Sequence, residues 1–218
     1  MNFQESKLHM IFCYAYLILI GHFTFCINFV SGLGLFLNLS GFMVVFELFE
    51  RIKDSTDIAR IKLIPFIFER SKYYGRTFYK ESIIMAIIMI ILCLNFLMFM
   101  NSGHPFAFAG ALISLIIMFV VFMMGMIFAY LCVHYRQITG IERWQNVISL
   151  TIVKAGELFL VLVCLVGILI VISQINIGLT VLLGFGIILL IYHIALSYLI
   201  KKEKGLFQNH TYWRHQDE

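Results

Sequence analysis

The sequence predicts an all-α, polytopic membrane bundle of six transmembrane helices with both termini in the cytoplasm. Composition is the first reason: 61% of the 218 residues are hydrophobic and only 13% are charged, against about 25% charged in a soluble domain. Mean hydropathy is +0.95. The third reason is the spacing of charge. Leu8–Phe46 (39 residues), Ser82–Tyr135 (54) and Leu158–Ile200 (43) hold no Asp, Glu, Lys or Arg. A span takes about 20 residues. As one helix even the shortest stretch would run about 58 Å, against a hydrocarbon core of about 30 Å. Each stretch therefore folds back once, giving three hairpins.

The first helix, about 9–30, follows Lys7. Its apolar run continues past the length of a signal sequence without a small-x-small cleavage site, so it reads as a retained span. Ser31-Gly32-Leu33-Gly34 breaks it. The second helix, about 35–50, is short, with Asn38, Ser40 and Gly41 near its start. It reads as a span or a re-entrant segment; in a five-span alternative the first stretch crosses only once. The third and fourth helices, 82–100 and 106–132, flank the turn Asn101-Ser102-Gly103-His104-Pro105. The fifth and sixth, 148–172 and 177–200, flank Ser173-Gln174-Ile175-Asn176. The chain is one membrane domain, with cytoplasmic segments at about 50–81, 133–147 and 201–218.

Orientation follows from the sixteen Lys and Arg. One precedes the first helix, eight lie between the second and third, three between Arg136 and Glu157, and four in the tail. The hairpin tips hold none. This asymmetry places both termini inside. The uncharged outer side argues against an outward-facing hydrolase or a receptor for charged ligands.

Half of the positive charge therefore collects in Glu50–Glu81. Ser55 or Thr56 can cap a helix whose first turn holds Asp57. Ile58, Ile61 and Ile64 recur at helical spacing beside Arg60 and Lys62, and Pro65 ends or kinks that helix. Phe66, Phe68, Tyr73, Tyr74, Phe78 and Tyr79 then interleave with Arg70, Lys72, Arg76 and Lys80. Rings at headgroup level and long cations reaching anionic phosphates are what a membrane interface attracts. The segment is an interfacial anchor on anionic lipids or a docking surface for a protein partner. The adjacent bilayer explains the aromatics better than nucleic acid does.

Ionisable residues in apolar spans are functional candidates. Lys154 and Glu157, three apart, share a helix face with Thr151 and can pair. A span entered near Trp144 puts Lys154 about 14 Å deep; alternatively Gln145–Glu157 is an amphipathic interfacial helix and the span starts near Leu158. His22 and His193 are minor candidates for proton relay, against the commoner role of a neutral His bonded between helices. Asn28, Asn38 and Asn95 read as interhelical polar contacts, Glu47 and Arg51 as a surface pair, and Gly184-Phe185-Gly186 as a close helix contact. Cys13, Cys26, Cys93, Cys132 and Cys164 read as small packing residues, with no CxxC and no Cys/His metal spacing. There is no GxxxxGK[ST], HExxH or GxSxG. No enzyme, metal or cofactor is expected. A faint echo links the two halves: helix, basic aromatic segment, helix occurs at the second and third helices and again at the fourth and fifth.

Three segments carry a family resemblance: GFMVVFELFERIKD (Gly41–Asp54), FERSKYYGRTFYKES (Phe68–Ser82) and YRQITGIERWQNVISLTIVKAGE (Tyr135–Glu157). Over nearly its whole length the chain resembles the YesL-type bacterial integral membrane proteins, a family whose function is unknown. One departure is Leu39-Ser40-Gly41, where that family often has a Pro-Ala step. Members often occur beside carbohydrate ABC importers of Gram-positive bacteria. The resemblance thus implies a non-enzymatic accessory subunit, with the membrane or ATPase subunits of an importer as partners. No permease loop of the form EAA-x3-G is present. Alternatives are the membrane half of an ABC exporter of bacteriocin-immunity type, and an ion-coupled carrier using Lys154 and Glu157.

Overall fold

The computed structural model describes residues 3–31, 39–52, 62–102, 104, 106–138, 140–175 and 177–202, and these form helices with no strand among them. In chain order the helices are α1 (Phe3–Ser31), α2 (Leu39–Arg51), α3 (Leu63–Thr77), α4 (Tyr79–Asn101), α5 (Ala107–His134), α6 (Gly140–Val153), α7 (Ala155–Ile175) and α8 (Ile177–Lys202).

Two of the three expected fold-back points fall between described helices. α4 ends at Asn101, where the Ser102 amide bonds the Phe99 carbonyl at 3.1 Å. His104 turns the chain, its Nδ1 accepting from the Phe106 amide at 3.3 Å. α7 ends at Ile175, after the Ser173 hydroxyl has turned back to the Ile170 carbonyl. The break expected at 31–34 lies, past Ser31, outside the described residues.

The long helices α4, α5 and α7 are long and apolar enough to cross a membrane. Their outer surfaces are apolar as well. Ile84, Ile87, Ile91, Leu94 and Met98 are exposed on α4, and Phe159, Leu160, Val163 and Val171 on α7. In water such a surface would be an aggregation site; against lipid tails it carries no penalty. The protein is thus a helical membrane protein.

The core lies around α2. Every residue from Leu39 to Phe49 is buried, because α1, α3, α4, α5 and α8 all pack on this one helix. α5 joins the core through its second half: Met126 to Val133 are buried in unbroken succession. α1 and α8 pack closely, placing the first and last of the described helices side by side.

Two expectations are corrected here. The helix expected over 148–172 is two helices, α6 and α7, meeting at Lys154. The Lys154 amide bonds the Leu150 carbonyl and the Leu158 amide bonds that of Lys154, both at 2.9 Å, with Lys154 itself a turn between the two helices. Gly156 beside the junction weakens helix propensity locally. Pro65 does not end a helix. It sits in the first turn of α3, where its missing N–H costs nothing. The cap at Ser55 or Thr56 and the Ile58–Ile61 turn lie outside the described residues.

The repeated arrangement becomes visible as architecture. α3 leads into α4 as α6 leads into α7, each a short helix before a long apolar one. Each has three faces. α6 buries Arg143, Val147, Leu150 and Thr151, exposes the apolar Ile141, Ile148 and Ile152, and exposes the polar Glu142, Gln145 and Ser149. α3 buries Ile67 and Tyr74, exposes Ile64 and Phe68, and exposes Glu69, Lys72 and Arg76. A helix with one face on protein, one apolar and one polar fits the plane of a membrane interface.

The expected close contact at Gly186 is present. A Cβ there would lie 2.0 Å from the Ile18 carbonyl oxygen, a backbone atom that cannot swing aside. Gly186→Ala should separate α1 from α8 and cost about 1–3 kcal/mol. Gly167→Ala, with nothing within 4 Å of the new methyl, should not. Thermal unfolding of both variants in detergent checks this; equal Tm values would contradict the contact.

Candidate functional site

The main polar feature sits where α2 emerges from the core. Glu47 follows a run of buried apolar residues and is itself buried, its side chain 4% exposed. An unpaired carboxylate at such a position costs several kcal/mol. Four groups compensate. Arg51, one turn later, places NH2 2.9 Å from Oε1. Arg70 Nε lies 3.3 Å from the same oxygen and Arg136 NH2 3.2 Å. The Tyr74 hydroxyl donates to Oε2 at 2.8 Å. Arg70 and Tyr74 are four apart, so one face of α3 presents both. Arg136 stands just past the end of α5, after the Tyr135 amide closes the last turn on Leu131. One carboxylate therefore ties α2, α3 and the α5–α6 connection together.

The electrostatics are consistent. Burial raises the Tyr74 hydroxyl well above its ordinary pKa, and the charge and hydrogen bond of Glu47 raise it further. Burial opposes the charge of Arg136, but Tyr74 and Glu47 outweigh it and hold its pKa above the usual value. At neutral pH the phenol is a neutral donor and the guanidinium is charged.

A second layer of cation–π contacts surrounds this hub. Arg51 lies 5.0 Å from the Phe66 ring centre and Arg70 5.9 Å from that of Tyr73. Arg143 of α6 lies between Phe78 at 5.2 Å and Phe128 at 5.7 Å, and donates to the Ile138 carbonyl. The Trp144 ring rests on Phe128 at 4.8 Å. Such contacts contribute about 0.5–2 kcal/mol each. Together they clamp the α3–α4 junction onto α5 and α6.

The basic aromatic segment is thus divided. Arg70, Tyr74 and Phe78 point inward, and Phe66 is half buried. Lys62, Phe68, Lys72, Tyr73, Arg76 and Tyr79 are exposed, with Lys80 5.8 Å over the Tyr79 ring. Asp57 and Arg60 lie outside the described residues. The Glu47–Arg51 surface pair is corrected: Arg51 is half exposed, but Glu47 is buried and has further partners, because α3 folds over it.

Lys154 and Glu157 do pair, Nζ to Oε2 at 3.4 Å, at the α6–α7 bend; the lysine side chain is 7% exposed and the glutamate 48%. His22 is buried on α1, its Nε2 3.3 Å from Cys26 Sγ. His193 packs against Phe46, Phe49 and Tyr130 and stands 5.5 Å from the His134 ring. None of the described cysteines forms a disulfide.

Sequence reasoning missed Glu47 as a hub, and with it Arg136. A signal existed. Glu47 interrupts the apolar run Phe42–Phe49, where an acid needs partners, and Leu63, Ile67, Arg70, Tyr74 and Phe78 follow helical spacing. Set against known proteins, the chain matches no family model, no curated protein and no solved structure.

Glu47→Gln should cost about 3–5 kcal/mol, as for breaking a buried pair. Arg51→Ala, on a half-exposed partner, should cost under about 1 kcal/mol. Thermal or denaturant unfolding in detergent ranks them, and equal losses would remove Glu47 from the centre. The raised pKa of Tyr74 contributes stability that is complete below pH about 10. That stability fades as pH climbs through the raised value. Phenolate absorbance should therefore show one tyrosine ionising late in the wild type and earlier in Glu47→Gln.

Proposed function

We propose that this protein is a non-enzymatic accessory subunit of the cytoplasmic membrane, with six spans and cytoplasmic termini, that holds a rigid amphipathic platform against its cytoplasmic face for partner proteins. The observation that carries the reading is the locked state of α3. Its inner stripe is anchored by the Glu47 carboxylate. Phe68, Lys72, Tyr73 and Arg76 are left exposed on a fixed surface. A mere lipid anchor needs no buried carboxylate with three arginines; a docking surface gains from preorganisation. The placement of Lys and Arg supports the orientation. Resemblance to the YesL-type family adds the partner class, the membrane or ATPase subunits of a carbohydrate ABC importer. A carrier driven through Lys154 and Glu157 has less behind it, since that pair stands at a helix junction with its carboxylate half exposed.

Orientation is tested with single cysteines in a variant whose native cysteines are alanine. A membrane-impermeant maleimide should label Ser102→Cys in intact cells, and Lys72→Cys only after permeabilisation. The reverse pattern would overturn the topology. Partner binding is tested by mild-detergent pull-down and mass spectrometry. Transporter subunits should co-purify with the wild type and be lost from the variant carrying Lys72→Glu, Arg76→Glu and Lys80→Glu. Arg70 is left intact there, because reversing it would break the hub. Full retention would reduce α3 to an interfacial anchor, and purification of the wild type alone would remove the accessory reading.

A further inference from the structure

Glu50 of α2, His134 at the end of α5 and His193 of α8 come together beside the hub, their ligand atoms all within 4.8 Å of one another. We propose that these three side chains form a zinc-class divalent metal site. It goes beyond the accessory-subunit reading and does not depend on it.

The geometry of His134 carries the argument. Its Nδ1 lies 3.1 Å from the Tyr130 carbonyl oxygen. A carbonyl oxygen only accepts, so Nδ1 carries the proton and Nε2 presents its lone pair. That lone pair stands 3.0 Å from Glu50 Oε2. A lone pair facing a carboxylate at that separation calls for a cation between them or a proton on the imidazole. An imidazole N–H spent on a backbone carbonyl, leaving the other nitrogen for a metal, is the usual support of a histidine ligand.

The second histidine makes a metal the better answer than a lone ion pair. An imidazolium at His134 would face His193 at a ring separation of 5.5 Å, where a second imidazole adds nothing to a proton already shared with Glu50. A metal ion uses both. The rings are held for it. His134 stacks on Tyr130 at 4.0 Å and 13°, and His193 lies against Phe46 at 5.5 Å and Phe49 at 5.6 Å.

Two imidazoles and one carboxylate suit zinc and its late first-row neighbours. With bonds of about 2.0–2.1 Å, tetrahedral ligand atoms stand about 3.3 Å apart. The widest present spacing, up to 4.8 Å, closes by up to about 1.5 Å, while the 3.0 Å between Glu50 and His134 opens slightly. Glu50, its side chain 45% exposed, can supply that movement, and water on its open side can complete the shell. Because the ligands come from three helices, 84 residues separate Glu50 from His134 and no spacing motif marks the site. Bound metal would tie α2, α5 and α8 at one end.

The test uses the full chain with a tag that contains no histidine, in detergent and stripped by chelator. Titration with ZnCl2 should show one equivalent bound and a higher Tm, and CoCl2 should give the visible absorption of tetrahedral cobalt. His134→Ala with His193→Ala should abolish the cobalt band. Glu50→Gln, a change on a half-exposed side chain that leaves folding intact, should weaken zinc roughly a hundredfold. His210→Ala with His215→Ala, in the C-terminal tail, should leave binding unchanged. No stoichiometric binding by the wild type, binding that survives the loss of both His134 and His193, or binding lost with the tail histidines would each overturn the proposal.

Discussion

Burying one carboxylate at the end of the central helix sets most of what surrounds it. Glu47 is 3% exposed, and such a charge is tolerated only when its oxygens are filled. Its own helix supplies one partner, Arg51, at i+4. The rest must come from elsewhere in the chain. α3 therefore returns over α2 with Arg70 and Tyr74 on its inner stripe, and the α5–α6 connection places Arg136 beside them. Without Glu47 these cations would repel one another at one point. With it, they define the position of α3 to within a hydrogen bond.

That position determines what α3 can present. A helix lying on lipid through one apolar face can roll about its axis. α3 cannot, because Tyr74 is pinned and Phe78 is packed between Tyr74, Phe128 and Arg143. The exposed Phe68, Lys72 and Arg76 thus share one fixed orientation. α6 is held similarly, through Arg143 and Trp144 on Phe128. The two short helices are thus each fixed in orientation, and shape is what recognition of a partner needs beyond charge alone.

How far the sequence reveals this varies with the kind of force. Long apolar runs and their breaks are local, so the α4–α5 and α7–α8 turns were readable from Asn101–Pro105 and Ser173–Asn176. The close approach at Gly186 was readable from the small residues around it. The Lys154–Glu157 pair was readable from its spacing, and a break near it was one of the two readings of that stretch, in which an amphipathic helix precedes the span. That Glu47 needs partners was readable from its place in an apolar run; which residues meet it, and the Glu50–His134–His193 group, were not. Each joins residues distant in the chain, and a single sequence carries no register between helices. The inward turn of Arg70 and Tyr74 was hidden for another reason. In a segment where rings and cations alternate, the stripe that faces protein has the same composition as the stripe that faces lipid.

The brevity of α2 follows from the same constraint. Its 13 residues make about 20 Å, short of the roughly 30 Å that a lone span must cover. In contact with lipid, a helix that short would leave polar backbone ends within hydrocarbon. α2 avoids this because its neighbours enclose it along its length, so Ser40 near one end and Glu47 near the other both meet protein. α2 ends at Arg51, and that end delivers Glu47, Glu50 and Arg51 to one level, beside α3, the end of α5 and His193. The short, polar start that makes this helix hard to read as a span is thus the same property that lets it organise the charged end of the protein.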